Sequence, residues 1–588
     1  MRSLARVTLL SLVIGLMAVG GAQAADVFVS SNIAASTTWT RDNVYKLTQQ
    51  IYVLPGATLT IQAGTRISSQ AGVGGSLAIT KGAKIIANGN DRRPIIFTTD
   101  NDNGTWREAA NEWGNLTIMG AGYISENATV GNVPTCDANN VAAMEGLVAD
   151  FPGDTKVLYG GGDDDDDSGI LSFVSIRYGG RVVGLNNELN GLSLGGIGRG
   201  TDINHIEIMN NVDDGIEIWG GTVNLKHFAI INIGDDSLDV DQGWRGKAQF
   251  GLIVQGNSLD ASQGSGVGDN ACEFDGAEDS DWQPVTTASI YNLTVIGQPV
   301  DGDGLTAWRD NARVQYRNCI FMDGGEALVR FDNDDGDGAN GYGFNGTLSW
   351  ADTWTTAYNA VPPHANDCPA GIYTAQTSGN LAEIKDSVFF RNLNPAAYTE
   401  ATARGVLSPS NNNVRIDDPD PAGAPIKRIQ RGAPVVRGGR TILQLEELDP
   451  RPANEALTSV AVAPNDGFFT PARFRGAFDP AFPCWLDGWS AMDEFGFLPD
   501  EILCFNLVRN GNTLASLVVK KNTPRTATIV QNGNVLCDES PITLVNNNPL
   551  TGEFSCGGPT VQVVQQGGNL TWSAGPFNGT LEPRRPGM

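Results

Sequence analysis

Apolar and polar positions alternate along much of the chain, and the alternating runs return at fixed distances. Within each run every second residue is apolar, and glycine, asparagine or aspartate interrupts the run after a few residues. This is the period of a β-strand followed by a turn, whereas a helix would repeat its apolar positions every three to four residues. The pattern therefore predicts short strands joined by tight turns.

Two offsets describe the recurrence. Near the start, an 18-residue offset relates Leu59, Leu77 and Ile95. Further along, a 22-residue offset matches these positions in one register: Ile203 with Leu225, Ile206 with Phe228, Ile208 with Ile230, Asn210 with Asn232, Asp213 with Asp235, Asp214 with Asp236, Ile216 with Leu238 and Ile218 with Val240. Stacked coils of about 18 to 22 residues form a β-solenoid, in which equivalent residues lie about 4.8 Å apart. We therefore predict a stacked aliphatic interior, with a ladder of side-chain amides at Asn210 and Asn232.

A family resemblance rests on these repeats and on one further motif. The stretch Leu54-Pro-Gly-Ala-Thr-Leu-Thr-Ile-Gln-Ala-Gly64 and the 22-residue coils resemble the pectin-lyase-like superfamily. The resemblance implies that the coils form a right-handed parallel β-helix (β-solenoid). Since the aromatic and the alternating, turn-rich segments near the C-terminus predict a C-terminal cap and a small β-rich C-terminal domain, we expect an all-β chain. It covers about residues 45–395, with wide insertions at 99–115, 127–168, 257–288 and 333–380.

Composition divides the chain into five segments. Residues 1–24 are expected to be a cleaved signal peptide, since a basic start and an apolar run precede the small-x-small site Ala22-Gln23-Ala24. The other segments are 25–395, a parallel β-helix with loop insertions; 396–457, a Pro/Arg/Asn-rich connecting region; 458–498, an aromatic segment expected to cap the solenoid; and 499–588, a small β-rich domain. We therefore expect an exported protein that is secreted, periplasmic or at the cell surface.

No transmembrane segment is expected in the mature chain, because no stretch after the signal reaches about 18 apolar residues.

Charge and cysteine content narrow the function classes. The 588 residues include 66 Asp and Glu against 39 Lys and Arg, which gives a formal net charge of −27. Nucleic acid is excluded as a partner because phosphate binding requires a basic face, and metal cations are favoured. Eight cysteines in an exported chain predict disulfides, and proximity in sequence suggests Cys484–Cys504 and Cys537–Cys556.

The acidic residues concentrate where the 22-residue coils lie. In that register Asp213, Asp214 and Glu217 stack beneath Asp235, Asp236 and Asp239. Stacked carboxylates repel one another, so they are protonated, fan into solvent or hold a cation. Oxygen ligands in an irregular cage favour Ca²⁺, which makes calcium the expected cofactor, and solvated acidic turns are the alternative. A second candidate calcium loop is Asn333-x-Asp335-x-Asp337-Gly338, which has Phe344 where an EF-hand has its last glutamate.

A catalytic interpretation remains open beside the metal one. The stretches Asn211-Val-Asp213-Asp214-Gly-Ile and Gly234-Asp235-Asp236-Ser-Leu are similar to two acid motifs of polygalacturonase-type glycoside hydrolases. The resemblance implies that Asp213, Asp235 and Asp236 are the acid and the water-activating carboxylates. The later Gly-His-Gly and Arg-x-Lys motifs of that family are missing. A lyase would need a basic residue instead, and Arg245 and Lys247 are candidates, although ion pairing to the surplus acid also explains both.

Three hypotheses about function follow. The first is an exported calcium-binding β-helix protein that presents a long face to an extracellular polysaccharide, or to an envelope or surface protein, without catalysis. The second is a polysaccharide hydrolase or lyase of the pectin-lyase-like superfamily. The third is a structural or adhesive envelope protein, in which the acidic ladders serve solubility and edge protection. The stretches 178–180, 187–192 and 474–478 are similar to uncharacterised bacterial envelope β-helix proteins, a resemblance that implies no activity. His205 and His227, which repeat at 22 residues, are interpreted as an outward polar ladder.

Overall fold

The computed structural model describes most of the chain. The described residues are 24–584 except for these gaps: 128–134, 184–188, 257–267, 278–281, 302–303, 327, 332–346, 358–367, 374–378, 393–404, 418–419, 438, 481, 500–501, 511, 521–525, 532–533, 548–549, 556–559, 567–568 and 576. Residues 1–23, nearly all of the predicted signal peptide, lie outside the described residues.

Short strands separated by tight turns make up the chain up to Ile416, because alternating apolar residues and turn formers follow one another every few positions. In chain order the strands are β1 (Ala25–Val29), β2 (Thr37–Trp39), β3 (Asn43–Leu47), β4 (Gln50–Val53), β5 (Thr58–Ile61), β6 (Arg66–Ser69), β7 (Ser76–Ile79), β8 (Lys84–Asn88), β9 (Ile95–Thr99), β10 (Leu116–Met119), β11 (Ala142–Ala143), β12 (Leu158–Tyr159), β13 (Gly169–Arg177), β14 (Leu192–Gly195), β15 (Asp202–Asn211), β16 (Ile216–Trp219), β17 (Asn224–Ile233), β18 (Leu238–Asp241), β19 (Lys247–Val254), β20 (Cys272–Asp275), β21 (Ser289–Ile296), β22 (Ala307–Arg309), β23 (Gln315–Arg317), β24 (Ile320–Met322), β25 (Arg330–Phe331), β26 (Glu383–Lys385), β27 (Val388–Phe390) and β28 (Val414–Ile416). A single-turn helix, α1 (Trp350–Thr353), and 3₁₀ turns at Thr155–Val157 and Pro409–Asn411 interrupt them.

Apart from the antiparallel pair β11–β12, these strands are parallel and form the three faces of a right-handed β-helix. Sheet 1 contains β2, β5 and β8, the first halves of β13, β15, β17, β19 and β21, and then β23 and β26. Sheet 2 contains β1, β3, β6 and β9, the second halves of the same five strands, and then β24, β27 and β28. Sheet 3 runs in the order β4, β7, β10, β14, β16, β18, β20, β22, β25.

A residue in the left-handed conformation marks the corner between sheets 1 and 2 in each successive coil. The column contains Phe173, His205, His227, Phe250, Asn292, Asn318 and Asp386, with φ between 50° and 62°. Asparagine and aspartate tolerate this conformation better than other non-glycine residues, whereas phenylalanine there is uncommon. The left-handed backbone of the phenylalanines in this column therefore needs stabilising contacts between their side chains and neighbouring ones.

The 22-residue register is confirmed and the 18-residue one is wrong. Ile208 pairs with Ile230 and Ile216 with Leu238, as the sequence predicts. The predicted amide ladder is also present, since Asn232 Nδ2 donates to Asn210 Oδ1 at 3.2 Å. In the first coils, however, Leu59 pairs with Ile85, 26 residues later. The 18-residue offset instead relates strands that lie on different sheets, because β5, β7 and β9 belong to sheets 1, 3 and 2.

Aliphatic and aromatic side chains from all three sheets fill the interior of the coils. Ile208, Ile230, Ile218 and Val240 are almost completely buried in this core, as predicted. Burying side chains of this size stabilises the fold by about 2 kcal/mol each, and the stacked register places each one in contact with its equivalent in the neighbouring coil.

Two further segments lie on the outside of the coils. Within the insertion between β10 and β13, residues 121–159 pack Ile124, Met144 and Tyr159 onto Tyr52 and Trp219 of sheet 3. On the other side, residues 424–498 cover the outer face of sheet 2, and we call them the C-terminal cover. The cover comprises the hairpin β29 (Ile426–Arg437) and β30 (Arg440–Pro452), the 3₁₀ turn Asn454–Leu457, and residues 459–498 with the short helix α2 (Ala491–Glu494).

The C-terminal cover runs back along the coils towards the N-terminal end. Gly476 N donates to Asn318 O, whereas Met492 N donates to Glu207, four coils earlier. Beneath the cover lies an apolar strip on the outer face of sheet 2: Met209, Ala229, Ile231, Leu252, Val254, Ile296, Ile320, Met322, Val388 and Phe390. The aromatic segment 458–498 thus buries apolar surface as its composition predicts, and that surface is the side of the coils rather than their end.

Residues 502–584 form a second β-rich unit with its own core. Its antiparallel strands are β31 (Ile502–Arg509), β32 (Asn512–Lys520), β33 (Thr526–Gln531), β34 (Asn534–Pro541), β35 (Thr543–Asn547), β36 (Leu550–Ser555), β37 (Thr560–Gln566), β38 (Asn569–Ala574) and β39 (Phe577–Arg584). β31 pairs with both β32 and β39, so the first and last strands of the unit are neighbours. Leu517, Phe554 and Trp572 are buried between the strands.

The cysteines behave differently from the predicted pairing. A disulfide joins Cys136 to Cys368, which ties two insertions together across 232 residues. The predicted Cys484–Cys504 bond is wrong, because Cys484 is a buried free thiol under the C-terminal cover. The predicted Cys537–Cys556 bond falls on side chains outside the described residues. In the part of the chain that the structure describes, no helix combines the length and the apolar character needed to cross a membrane.

Candidate functional site

Sheet 3 brings the acidic residues of three neighbouring coils onto one face. Strands β16, β18 and β20 lie side by side, and their inward residues alternate with outward ones. Glu217 pairs with Asp239, and Asp239 pairs with Glu273, so three carboxylates form one outward column. A second column contains Asp241 and Asp275, whose carboxyl groups lie close enough for each to influence the pKa of the other.

A ladder of side-chain oxygens occupies the turn before these strands. Asn190 Oδ1 accepts a hydrogen bond from Asp214 N at 3.1 Å, and Asp214 Oδ1 accepts one from Asp236 N at 2.9 Å. Asp236 Oδ1 in turn accepts a hydrogen bond from Asn270 N. Asp214 and Asp236 therefore each use one oxygen to join successive coils, a task that the side-chain oxygen of Asn190 performs at the start of the ladder. Their second oxygens are left for other partners.

Seven carboxylates around this ladder form three overlapping groups. Within each group the ligand atoms all lie within 4.8 Å of one another: Asp213, Asp214 and Asp235; Asp214, Glu217 and Asp239; Asp235, Asp236 and Asp269. We call these seven residues the acid cluster. All six ladder residues that the sequence predicts as metal ligands belong to it, and Asp269 joins them. These are the described residues that could hold a metal ion.

Burial sets the electrostatics of the acid cluster. Desolvation raises the pKa of Asp214, Glu217, Asp236 and Asp239 well above the usual range, and neighbouring carboxylates raise it further. For Asp214, the strongest charge interactions come from Asp213, Asp239, Glu217 and Asp236, which are all acidic. The ionised cluster is therefore under strong mutual repulsion that a bound cation or protonation relieves.

Cationic side chains meet the acidic face at its far end. Arg309 forms an ion pair with Glu273 and lies 3.5 Å from Asp275, and Arg330 lies 3.6 Å from Asp269. The insertion adds further acid on the opposite side, where Glu145 acts on Glu217 and where burial, together with Asp241, raises the pKa of Glu126. Arg309 and Arg330 thus bring positive charge to the end of the acidic face that Glu273, Asp275 and Asp269 occupy.

The two basic candidates for a lyase mechanism, Arg245 and Lys247, form ion pairs with carboxylates outside the acid cluster. Arg245 is almost fully buried and its guanidinium contacts Asp164, with Nη2 to Oδ1 at 2.9 Å. Lys247 points to the opposite side of the coils, where it pairs with Asp466 of the C-terminal cover at 2.7 Å. The ion-pairing interpretation of both residues therefore matches their placement. The second candidate loop, Asn333 to Gly338 with Asp335 and Asp337, lies outside the described residues.

The histidines do not form an outward polar ladder. His205 stacks on Phe173 at 4.2 Å between ring centroids and on His227 at 4.4 Å, and His227 stacks on Phe250 at 5.1 Å. Trp485 and Trp489 of the C-terminal cover pack edge-on against them. The sequence interpretation is therefore wrong about polarity, because the cover buries the column that the 22-residue repeat correctly aligned.

Sequence reasoning missed four acidic residues of this face: Asp241, Asp269, Glu273 and Asp275. A signal for three of them exists, since Leu238-Asp-Val-Asp241 and Cys272-Glu-Phe-Asp275 share one alternating pattern. The two motifs are 34 residues apart rather than 22, because the loop between β19 and β20 lengthens that coil. Asp269 lies in this loop, where no periodicity applies.

Comparisons with known proteins place the chain in a family. A sequence model described as a pectate-lyase-like beta helix domain matches residues 31–361. Among solved structures, the crystal structure of Dettilon tailspike protein matches with a TM-score of 0.19 and 9% sequence identity, over 94% of this chain and 84% of that one. A TM-score this low carries no argument. No curated protein matches the chain. Since the family match spans more than half of the residues and agrees with the three-sheet coil, the chain belongs to the family of pectate-lyase-like β-helix domains.

Proposed function

We propose that this protein is exported, binds calcium through the acid cluster, and presents the outer face of sheet 3 to an extracellular polysaccharide or a cell-surface partner without cleaving it. The observation that carries the proposal is the closeness of seven carboxylates in three overlapping groups, most of them buried. Buried like charges are costly unless a counter-ion or a proton accompanies them.

The donor chemistry supports calcium in particular. All side-chain ligands in the acid cluster are carboxylate oxygens, which suit hard cations. Three overlapping groups with shared members form an irregular cage, and calcium accepts six to eight ligands in flexible geometry whereas magnesium demands a tight octahedron. Asp214 and Asp236 keep one oxygen in the coil-joining ladder, so the backbone holds their second oxygens in position.

A non-catalytic role is supported by the surroundings of the acids that resemble hydrolase motifs. Asp236 is buried and fixed by its hydrogen bond to Asn270 N. Arg245 and Lys247, which a lyase would need near the acids, are paired with Asp164 and Asp466. Negative charge that develops on a leaving group beside Asp236 would therefore meet mainly carboxylates, since the arginines of this face, Arg309 and Arg330, pair with Glu273 and Asp269.

The test of calcium binding is thermal unfolding in chelator and in millimolar calcium. A ligand bound only by the folded state stabilises it by about 2.7 kcal/mol at a hundredfold excess over Kd, so calcium should raise Tm, and magnesium should raise it less. The double variant Asp214→Asn, Glu217→Gln should lose the response, whereas Asp42→Asn, an exposed aspartate outside the acid cluster, should keep it. Identical melting curves with chelator and calcium would refute calcium binding.

The second part of the proposal, that the protein binds a polysaccharide without cleaving it, is tested by assays of binding and cleavage on a panel of neutral and acidic glycans. We expect calcium-dependent co-sedimentation with at least one glycan, and neither reducing-sugar release nor absorbance from unsaturated products. Cleavage by the wild type that the Asp235→Asn, Asp236→Asn variant lacks would replace the proposal with the hydrolase hypothesis.

A further inference from the structure

Two half-buried histidines lie where the C-terminal cover meets the coils. His205 and His227 occupy the corner column between sheets 1 and 2, between Phe173 and Phe250. Trp485 lies 5.4 Å from His227 and 6.0 Å from His205, measured between ring centroids, and Trp489 lies 6.2 Å from His205. Both imidazoles are thus half-buried among four aromatic rings, two from the coils and two from the cover.

We propose that these two histidines form an acid-sensitive latch, which holds residues 484–494 of the C-terminal cover on sheet 2 at neutral pH and releases them when both rings become charged. The inference is independent of the proposed calcium site, which lies on sheet 3. It rests on the stacking of two ionisable rings within 4.4 Å of each other under an aromatic lid.

The charged groups around the two rings do not stabilise the state in which both histidines are protonated. Asp202 and Asp91 act on His205 in the sense that favours protonation, and Asn204 Oδ1 lies 3.0 Å from its Nδ1. Lys226 and His205 itself act on His227 in the opposite sense. From the cover, the rings that contact the histidines belong to Trp485 and Trp489, which carry no charge. Burial consequently lowers the pKa of His205 to about 4 and that of His227 to about 3.

The direction of the pH effect follows from linkage. A detached segment leaves both histidines in water with a pKa near 6.5, so protons bind the open state more tightly than the closed one. Closure is therefore fully favourable above about pH 6.5 and weakens as the pH falls towards the pKa values of the closed state. At pH 5 each histidine should increase the open fraction by about 30-fold relative to pH 7.5, and both together by on the order of 10³-fold.

A carboxylate at the same contact acts in the other direction. Glu207 is fully buried, accepts hydrogen bonds from Ala491 N and Met492 N, and has a raised pKa because of its burial. Its contribution to closure is largest at low pH and falls as the pH rises, so it opposes the histidines. Arg177 pairs with Glu494 at 2.6 Å on the same stretch. A test must therefore change the histidines alone.

The chain itself supplies the matched replacement. Phe173 and Phe250 occupy the same column with the same left-handed backbone as the histidines, so phenylalanine is compatible with this conformation and extends the existing stack. The double variant His205→Phe, His227→Phe keeps the rings and removes the titration. Asn292 and Asn318 continue the column, which makes His205→Asn, His227→Asn a second variant without titration should the first fail to fold.

The experiment is hydrogen exchange of the full-length protein between pH 7.5 and pH 5, read on peptides that span residues 484–494. Each variant is compared with the wild type at the same pH, which cancels the intrinsic pH dependence of exchange. We expect local opening of the wild type to increase by two to three orders of magnitude on acidification, and that of the phenylalanine variant to change less than tenfold. Peptides from β5 to β8 serve as the internal control and should not respond. Equal pH dependence in wild type and variants would overturn the latch.

Discussion

The two outer faces of the β-helix that carry stacked side chains have opposite characters. Sheet 2 presents an apolar strip, with Ile231 and Val254 among its members, and the C-terminal cover buries it. Sheet 3 presents columns of carboxylates, of which Glu217, Asp239 and Glu273 form one. Because the coils stack, a residue type that recurs at one position forms a continuous column on the surface. A column of apolar side chains forms an apolar surface that must be covered, and a column of charged side chains produces a field that requires a counter-charge.

The same rule separates the ladders that need no counter-ion from the one that does. The amides of Asn210 and Asn232 bond to each other, and the rings of the corner column stack at 4.2 to 5.1 Å. Aromatic and amide stacks are attractive in themselves, whereas carboxylates in the equivalent arrangement repel. A β-helix can therefore use a repeated residue either as structure or as a site, according to the sign of its interaction with its own copy.

The largest expected loss of stability comes from a charge placed in the interior of the coils, and a charge placed under the cover on the same strand provides the comparison. Ile230 points into the coil and its neighbour Ile231 points under the C-terminal cover. Ile230→Asp places an unpaired charge among stacked aliphatic side chains and should destabilise the protein by about 4 kcal/mol or more, enough to prevent folding. Circular dichroism and thermal unfolding measure this, and a stability close to that of the wild type would contradict the register.

Ile231→Asp should have a smaller and more local effect. The charge can reach water if the cover detaches, so we expect the coils to remain folded while the cover is cleaved rapidly by protease. A loss of about 2 to 3 kcal/mol in the docking of the cover is the expected magnitude. Limited proteolysis with mass spectrometry distinguishes the two outcomes, and global unfolding equal to that of Ile230→Asp would show that cover and coils form one cooperative unit.

The acidic face should respond to pH in the sense opposite to the histidine latch. The pKa values of Asp214 and Asp236 are raised in the folded state, so their contribution to stability is fully present below about pH 4 and is lost as the pH rises. In chelator, the double variant Asp214→Asn, Asp236→Asn should therefore become more stable than the wild type by an increasing amount between pH 5 and pH 8. Urea unfolding of both proteins measures this difference, and a difference independent of pH would contradict the assigned repulsion.

The smallest expected effect concerns the coil-joining ladder within the same face. Asp236→Asn keeps an oxygen that can accept the hydrogen bond from Asn270 N, whereas Asp236→Ala removes it. Since a buried donor left without its partner costs about 1 to 3 kcal/mol, the alanine variant should be less stable than the asparagine variant by roughly that amount in chelator. Equal stabilities would mean that the ladder contributes nothing to joining the coils.

The sequence by itself determined the coil, the register of the 22-residue coils and six of the seven members of the acid cluster. Ile208 over Ile230 and Glu217 over Asp239 follow from the 22-residue repeat alone, because parallel stacking needs only that equal positions lie at equal distances along the chain. The 18-residue repeat misled for the same reason: relating Leu59 to Leu77 satisfies the alternation, and only the paired strands show that the two belong to different sheets.

The tertiary structure decided what lies outside the coils. The second halves of β17 and β19 read as nearly continuous apolar runs, such as Phe228-Ala-Ile-Ile231, a pattern of strands buried on both faces, yet nothing local says which distant segment covers them. Because of that cover, His205 and His227 belong to a half-buried aromatic stack instead of the expected polar ladder. Lys247 forms an ion pair with Asp466 of the cover. A repeat fixes neighbours one coil apart, whereas contacts such as that between Glu207 and Ala491 depend on the fit of surfaces that the periodicity does not encode.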